Sequence, residues 1–217
     1  MISERMNELN NEIIDFASLT ESMIEKSVKG LVENRRELLE EVIGKDEERA
    51  NAFETKMDEA VFQFIAQFEP KAKDLRRTLM LMKMGNDLER IGDHAVNICE
   101  SALFLIEREK IKEFEHLPKM AQAVREMLRE SIDSFVKSDA GLAMLVCEKD
   151  NFVDDMKRVI SKEMADMMRK DTNTIDRAMN INRIAANLER IADLSTNISE
   201  DVIFIEEGRV IKHHFSE

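Results

Sequence analysis

The stretch DLERIGDHAVNICESALFLIE, Asp87 to Glu107, returns 100 positions later as NLERIADLSTNISEDVIFIEE, Asn187 to Glu207, with ten of 21 aligned positions identical. Two copies of one supersecondary unit are therefore expected. In and just before the first copy, apolar or small residues fall at Leu81, Met84, Leu88, Ile91, Ala95, Ile98, Ala102 and Leu105, in alternating steps of three and four. The second copy repeats the rhythm at Ile181, Ile184, Leu188, Ile191, Ser195, Ile198, Val202 and Ile205. Both stretches read as long helices with a bundle-type seam. With Leu88 at heptad position a and Ile91 at d, Glu89 takes b while Asp93 and Glu100 take f, all turned from the seam. Each helix then offers a Glu-x-x-x-Asp pair on the outside, its members one turn apart.

Outward from this stretch, 217 residues hold one large domain or two small ones, and the repeat favours two similar halves. A hydrophobic content of 43% beside 35% charge, with six glycines, two prolines and neither Trp nor Tyr, suits helical bundles and not sheets. The expected fold is all-α, two tandem, pseudo-symmetric three-helix bundles: residues 1–108, a linker at 109–118, and residues 119–217. A net charge of −13 without a Lys/Arg stripe argues against nucleic acid as a partner and for cations or basic surfaces. Cys99 and Cys147 lack Cys-x-x-Cys spacing and read as reduced core thiols. No signal-peptide core and no membrane-length apolar run is seen, so a soluble, cytoplasmic protein is expected.

The first helix is expected from about Ser3 to Val42, with Thr20, Ser27 and Gly30 letting a neighbour come close. Gly44 is expected to end it in a left-handed conformation and Asp46 to cap the second helix, about 47–68, which buries Phe53, Met57, Val61, Phe64 and Phe68. After Pro70 the third helix runs from about Lys71 to Arg108. Pro118 suits the first turn of the fourth, which ends near Lys137. Ser138 to Gly141 form a turn, the fifth helix covers about 141–170 with Leu145, Phe152, Met156, Val159 and Met164 inward, and the sixth carries the second motif. Residues beyond Gly208 form a tail. The 15 methionines are expected to fill the core.

A lone acidic i, i+4 pair means little, since this composition supplies about nine by chance. Four such pairs, however, form two matched sets: Glu54/Asp58 with Glu89/Asp93, and Asp150/Asp154 with Glu189/Asp193. In each set the pairs lie on consecutive helices that must be neighbours. If the pairs face each other, four carboxylates converge, and they must raise one another's pKa or recruit a cation. Oxygen-only ligation suits Mg²⁺, Ca²⁺, Mn²⁺ or oxidised iron, and does not suit a structural zinc site of Cys and His, although zinc on carboxylates stays open. The alternative is a solvated acidic face. Asp87, Asn97 and Glu100, with Asn187, Asn197 and Glu200, fall near the same faces and extend each set. Arg90 and Arg190 either orient the carboxylates or form ordinary surface salt bridges. A di-iron oxidase would need Glu-x-x-His pairs in a core, and the one such spacing, Glu113 to His116, lies in the linker.

At these residues the chain resembles the PhoU family of bacterial phosphate-signalling regulators. The resemblance rests on Asp58-Glu59-Ala60, Pro70, Asp74-Leu75-Arg76, Leu88-Glu89-Arg90-Ile91-Gly92-Asp93 and Ile98-Cys99, then Asn187-Leu188-Glu189-Arg190-Ile191-Ala192-Asp193 and Asn197-Ile198. It implies tandem three-helix bundles whose repeated acidic motifs hold multinuclear metal clusters on the surface, with iron favoured. It also implies a non-enzymatic negative regulator of phosphate uptake, an adaptor between the ATPase subunit of a phosphate ABC transporter and a sensor histidine kinase. Such a protein would sit peripherally on that membrane complex, as a monomer or a homodimer. Ala192 replaces Gly92 in the second copy, and Asp150 stands where the first half has Glu54, which puts equal occupancy of the two sites in question. Metal storage, or metal-dependent hydrolysis on the same carboxylates, is the competing function.

Overall fold

The computed structural model describes residues 2–111 and 115–208. Among these residues every regular element is helical. α1 spans Ile2–Val32, α2 Arg36–Glu41, α3 Glu47–Phe68, α4 Ala72–Ile106, α5 Leu117–Lys137, α6 Ala140–Lys170 and α7 Ile175–Glu207. A π-helical turn, Val42–Asp46, joins α2 to α3, and a 3₁₀ turn, Thr172–Thr174, leads into α7. α1, α3 and α4 pack as one three-helix bundle, and α5, α6 and α7 as a second, with α4 against α7 and α1 against α5 between them. No helix of the described residues is long and apolar enough to cross a membrane.

Helix ends follow local chemistry. α3 stops where Glu69 turns left-handed just before Pro70, and α5 stops at Ser138, also left-handed. Pro118 occupies the first turn of α5. The Asp139 carboxylate caps α6 by accepting from the Leu142 amide at 2.9 Å, and Asp171 accepts from the Asn173 amide at 2.9 Å. The tail expected beyond Gly208 lies outside the described residues, as does Glu113 of the linker.

The first helix departs from expectation. It ends at Val32, not Val42, because Asn34 adopts a left-handed φ of 53° and the Arg35 amide closes back on the Gly30 carbonyl at 2.8 Å. Residues 36–42 therefore belong to the returning arm. Gly44 is not a helix terminus but part of the π-helical turn, and Asp46 caps nothing. Asp46 is instead fully buried, held by Lys26 at 2.6 Å and by Arg49 at 3.4 Å. α6 also differs: its inner face is Ala143, Val146, Val153, Ile160 and Met164, while Leu145, Phe152 and Val159 point outward.

The buried core is continuous, from Leu9 and Phe16 in α1 to Ile205 in α7. Cys99 and Cys147 are buried free thiols whose pKa values burial pushes upward. Thr20, Ser27 and Gly30 are buried on α1, as their size predicts. α4 and α7 run antiparallel. Lys73 near the start of α4 pairs with Glu206 near the end of α7, Lys83 with Asp201, and Arg183 with Glu100 at 3.2 Å. Between them His94 Nδ1 meets Asn187 Oδ1 at 2.9 Å, so the two motif copies abut.

At Gly30, α1 lies close against α2. A Cβ there would stand 2.5 Å from Leu39 Cδ2 and 3.2 Å from the Arg35 carbonyl oxygen. Gly30→Ala should therefore destabilise the protein by about 1–3 kcal/mol, read as a lower urea midpoint at unchanged slope. An unchanged midpoint would show that Leu39 turns aside at no cost.

Candidate functional site

α4 buries its a and d positions in its own bundle and its g row, Asp87 and Ser101 with half-buried His94, toward α7. Gly85 and Gly92 face α3: a Cβ on Gly92 would stand 3.5 Å from the Ala50 Cβ, and one on Gly85 3.3 Å from Met57. What remains for solvent is the b, c and f arc, and Glu89 and Asp93 occupy it. On α3, Glu54 and Asp58 lie half-buried on the flank toward α4. Burial first, then the charges of Asp93, Glu54 and Glu47, raise the pKa of Glu89. Three members of the first expected set, Glu54, Glu89 and Asp93, are thus close enough for their charges to interact. Asp58 contributes a buried Oδ1 with no hydrogen-bond partner. Glu47, seven residues before Glu54 on one helix face, joins this patch; that spacing was the signal for it.

The second set converges more tightly. Asp150 is pushed from 3.8 to about 6 by burial and by the charges of Asp193, Asp154 and Glu189. Asp193 is raised by burial, Glu189 and Asp154, against the opposing Lys157 and Arg190. Asp150 Oδ1 is buried and without a hydrogen-bond partner, as is Asp58 Oδ1 in the first half, although the repeat aligns Asp150 with Glu54 and Asp58 with Asp154. Lys157 breaks the symmetry, because its Nζ lies 2.6 Å from Glu189, whereas the aligned position in α3 is Val61. Its place seven residues after Asp150 on the same face made it findable. Among the described residues no three His, Cys, Asp or Glu side chains stand in metal-holding geometry. The donor sets nonetheless fit a hard cation: they are all oxygen, mutually repelling, and each leaves one buried carboxylate oxygen unsatisfied.

The six further residues scatter. Asp87 and Asn187 are buried between α4 and α7, away from the patches. Burial pushes Asp87 to about 6, with Lys83 opposing, Asp201 reinforcing and Arg90 opposing. Arg90 turns to Asp87 at 3.4 Å and not to Glu89. Arg183 of α7 holds Asn97 and Glu100 at 3.2 Å each. Asn197 lies one turn beyond Asp193 on α7, and Glu200 lies two turns beyond it, where its charge reaches Cys147 of α6. His116, at the start of α5, contacts Glu163 at 3.2 Å.

Residues 13–102 and 117–202 each match the family model described as the PhoU domain. The sequence is 34% identical over 210 residues, 97% of this chain and 95% of the relative, to an Aquifex aeolicus protein named phosphate-specific transport system accessory protein PhoU homolog. A Pseudomonas putida protein of the same name is 31% identical over 217 residues, covering 98% of this chain and 84% of its own. The crystal structure of PhoU from Pseudomonas aeruginosa superposes with a TM-score of 0.92 at 28% identity, over 96% of this chain and 100% of that one. The phosphate transport system regulatory protein PhoU from Streptococcus pneumoniae does so with a TM-score of 0.92 at 25% identity, over 98% and 100%.

Gathering four carboxylates is a cost that pH exposes. Because Asp150 holds its proton more tightly in the folded chain than in the unfolded one, its contribution is most favourable at low pH and is lost as pH rises through about 6. In chelator-treated protein, Asp150→Asn should leave stability nearly unchanged at about pH 4. At about pH 7.5 it should raise stability by on the order of 1 kcal/mol after solvent screening. Urea midpoints at the two pH values test this; equal shifts at both would rule out titration of Asp150 as the cause.

Proposed function

The chain belongs to the PhoU family, and from that premise we propose that it is a non-enzymatic regulator of phosphate uptake whose two acidic patches hold metal ions. Glu54, Asp58, Glu89 and Asp93 would hold one group of ions, and Asp150, Asp154, Glu189 and Asp193 the other. What supports the metal reading is the pair of orphaned carboxylate oxygens, on Asp58 and Asp150, in two patches built alike. A bound hard cation supplies the positive charge that the repelling carboxylates lack. The chain's own residues do the rest: α3 and α6 present one acidic pair each, and α4 and α7 present the other from an arc their packing leaves free. Lys157 tempers the second patch, so the first is the stronger cation site.

In this reading the protein acts in the cytoplasm, docked on the ATPase subunit of a phosphate transporter and on a sensor kinase, and holds the kinase in its repressing state. The relatives' names, accessory protein and regulatory protein of phosphate transport, support the regulatory part.

Elemental analysis of the purified protein should find several iron or other transition-metal ions per chain. They should be lost from a helical Asp93→Asn/Asp193→Asn variant; no metal in the parent after reconstitution would return the patches to plain acidic surface. Separately, deleting the gene should switch on phosphate-starvation genes in phosphate-rich medium, measured by a reporter. Normal repression in the deletion strain would sink the adaptor role.

A further inference from the structure

The arginine repeated in both motif copies is not consumed by the acidic patches. Arg90 turns Nη1 to Asp87 at 3.4 Å and keeps 58% of its side chain exposed. Arg190 is exposed and forms no ion pair with any described residue, although Glu189 and Asp193 stand on its own helix. In a chain of net charge −13, a motif arginine left unpaired points to a negative partner from outside.

The joint between the bundles brings the two arginines together. The His94–Asn187 bond, with the Lys83–Asp201 and Arg183–Glu100 pairs, sets Arg90 level with the turn around Ala192 and Arg190 level with the turn around Gly92. Both occupy heptad position c, the edge of the solvent arc that borders the joint, with the acidic b and f positions farther out on either side. Their charges meet at His94. Burial first, then Arg190 and Arg90, hold its pKa below the ordinary value against the Asn187 bond and Asp93.

The imidazole selects the ligand. Asn187 donates its side-chain amide to the Arg183 carbonyl at 2.8 Å, so its Oδ1 is the acceptor that faces His94, and Nδ1 carries the ring proton. Nε2 is then a bare acceptor, with no hydrogen-bond partner among the described residues. An anion that fits must therefore bring a proton of its own. Sulfate has none at neutral pH, and a phosphate monoester loses its P–OH above about pH 6, whereas inorganic phosphate keeps at least one. We propose that Arg90, Arg190 and His94 form a binding site for inorganic phosphate: the guanidiniums hold its charged oxygens, and its P–OH donates to His94 Nε2.

The surroundings set the strength of this site. Asp87 competes for Arg90, while Glu89 and Asp93 on one side and Glu189 and Asp193 on the other repel an anion. Cations on the two patches would remove that repulsion, a coupling that rests on the metal reading above. Metal and phosphate then tighten each other by the same factor. With two solvent-exposed guanidiniums as its charged donors, the site binds weakly and exchanges fast.

The ³¹P line width of inorganic phosphate, titrated from about 0.1 to 20 mM against the full chain, tests this in Mg²⁺-loaded and chelator-treated protein. Saturable broadening should appear with Mg²⁺ and weaken roughly threefold or more without it. Arg190→Gln is the cleaner probe because Arg90 also holds Asp87. It should weaken binding roughly fivefold or more while helicity and metal content stay unchanged. Sulfate at equal ionic strength should not displace phosphate from the parent, but should compete equally in His94→Leu, which takes the residue of the second copy. No saturable broadening in either form would overturn the proposal, and so would broadening indifferent to Arg190→Gln, which would place the anion on the metal. Equal competition by sulfate in the parent would overturn the role of His94. Equal affinity with and without Mg²⁺ would uphold the phosphate site and overturn its coupling to the patches, so the two readings fail separately.

Discussion

A helix that must bury two faces at once cannot be patterned like one that lies on a surface, and α4 and α7 are both under that constraint. Each fills its own bundle through a seam of three-and-four steps, and each then lies on the other through the adjacent row of Asp87, His94 and Ser101 or Asn187, Leu194 and Asp201. A buried row containing two aspartates is tolerable only because Lys83 and Arg90 reach it. Once these faces are spent, and Gly92 or Ala192 has admitted the neighbouring helix, a narrow solvent arc is left. The acidic pairs stand on that arc, so their exposure follows from the packing of the two halves.

The same constraint explains the electrostatics. Glu89 and Asp193 are close enough to low-dielectric protein to feel burial, yet each faces a second acidic pair on the next helix. Duplication set up two such arrangements, and later substitution made them unequal. Val61 in the first half corresponds to Lys157 in the second, and Glu54 to the shorter Asp150. The second patch is therefore partly neutralised by its own chain, whereas the first gains Glu47 and becomes more negative.

Much of this was legible from residues alone. The 100-residue repeat and its seam predicted two three-helix bundles, and α3, α4, α5 and α6 begin and end within about two residues of the positions expected. The break after Val32 was not legible, because the turn Glu33-Asn34-Arg35 contains neither glycine nor proline and Asn34 takes the left-handed conformation instead. The outward stripe on α6 was misread for a different reason. Leu145, Phe152 and Val159 keep perfect helical spacing, and spacing alone does not say which of two apolar rows meets the core. At the proposed site, the eight motif carboxylates were singled out by their repetition. Asp87 and Asn187 were misplaced because the row that joins the bundles is polar and so resembles a surface.

The joint between α4 and α7 is pinned along its length. Opposite charges tie it near both ends, at Lys73 with Glu206 and Arg183 with Glu100, and a His94–Asn187 hydrogen bond ties it between them. A joint fastened at separated points resists shear, because sliding one helix along the other would break all its ties together. A push delivered to one bundle by a docked macromolecule would then swing the whole molecule as a lever, and would not be dissipated at the joint.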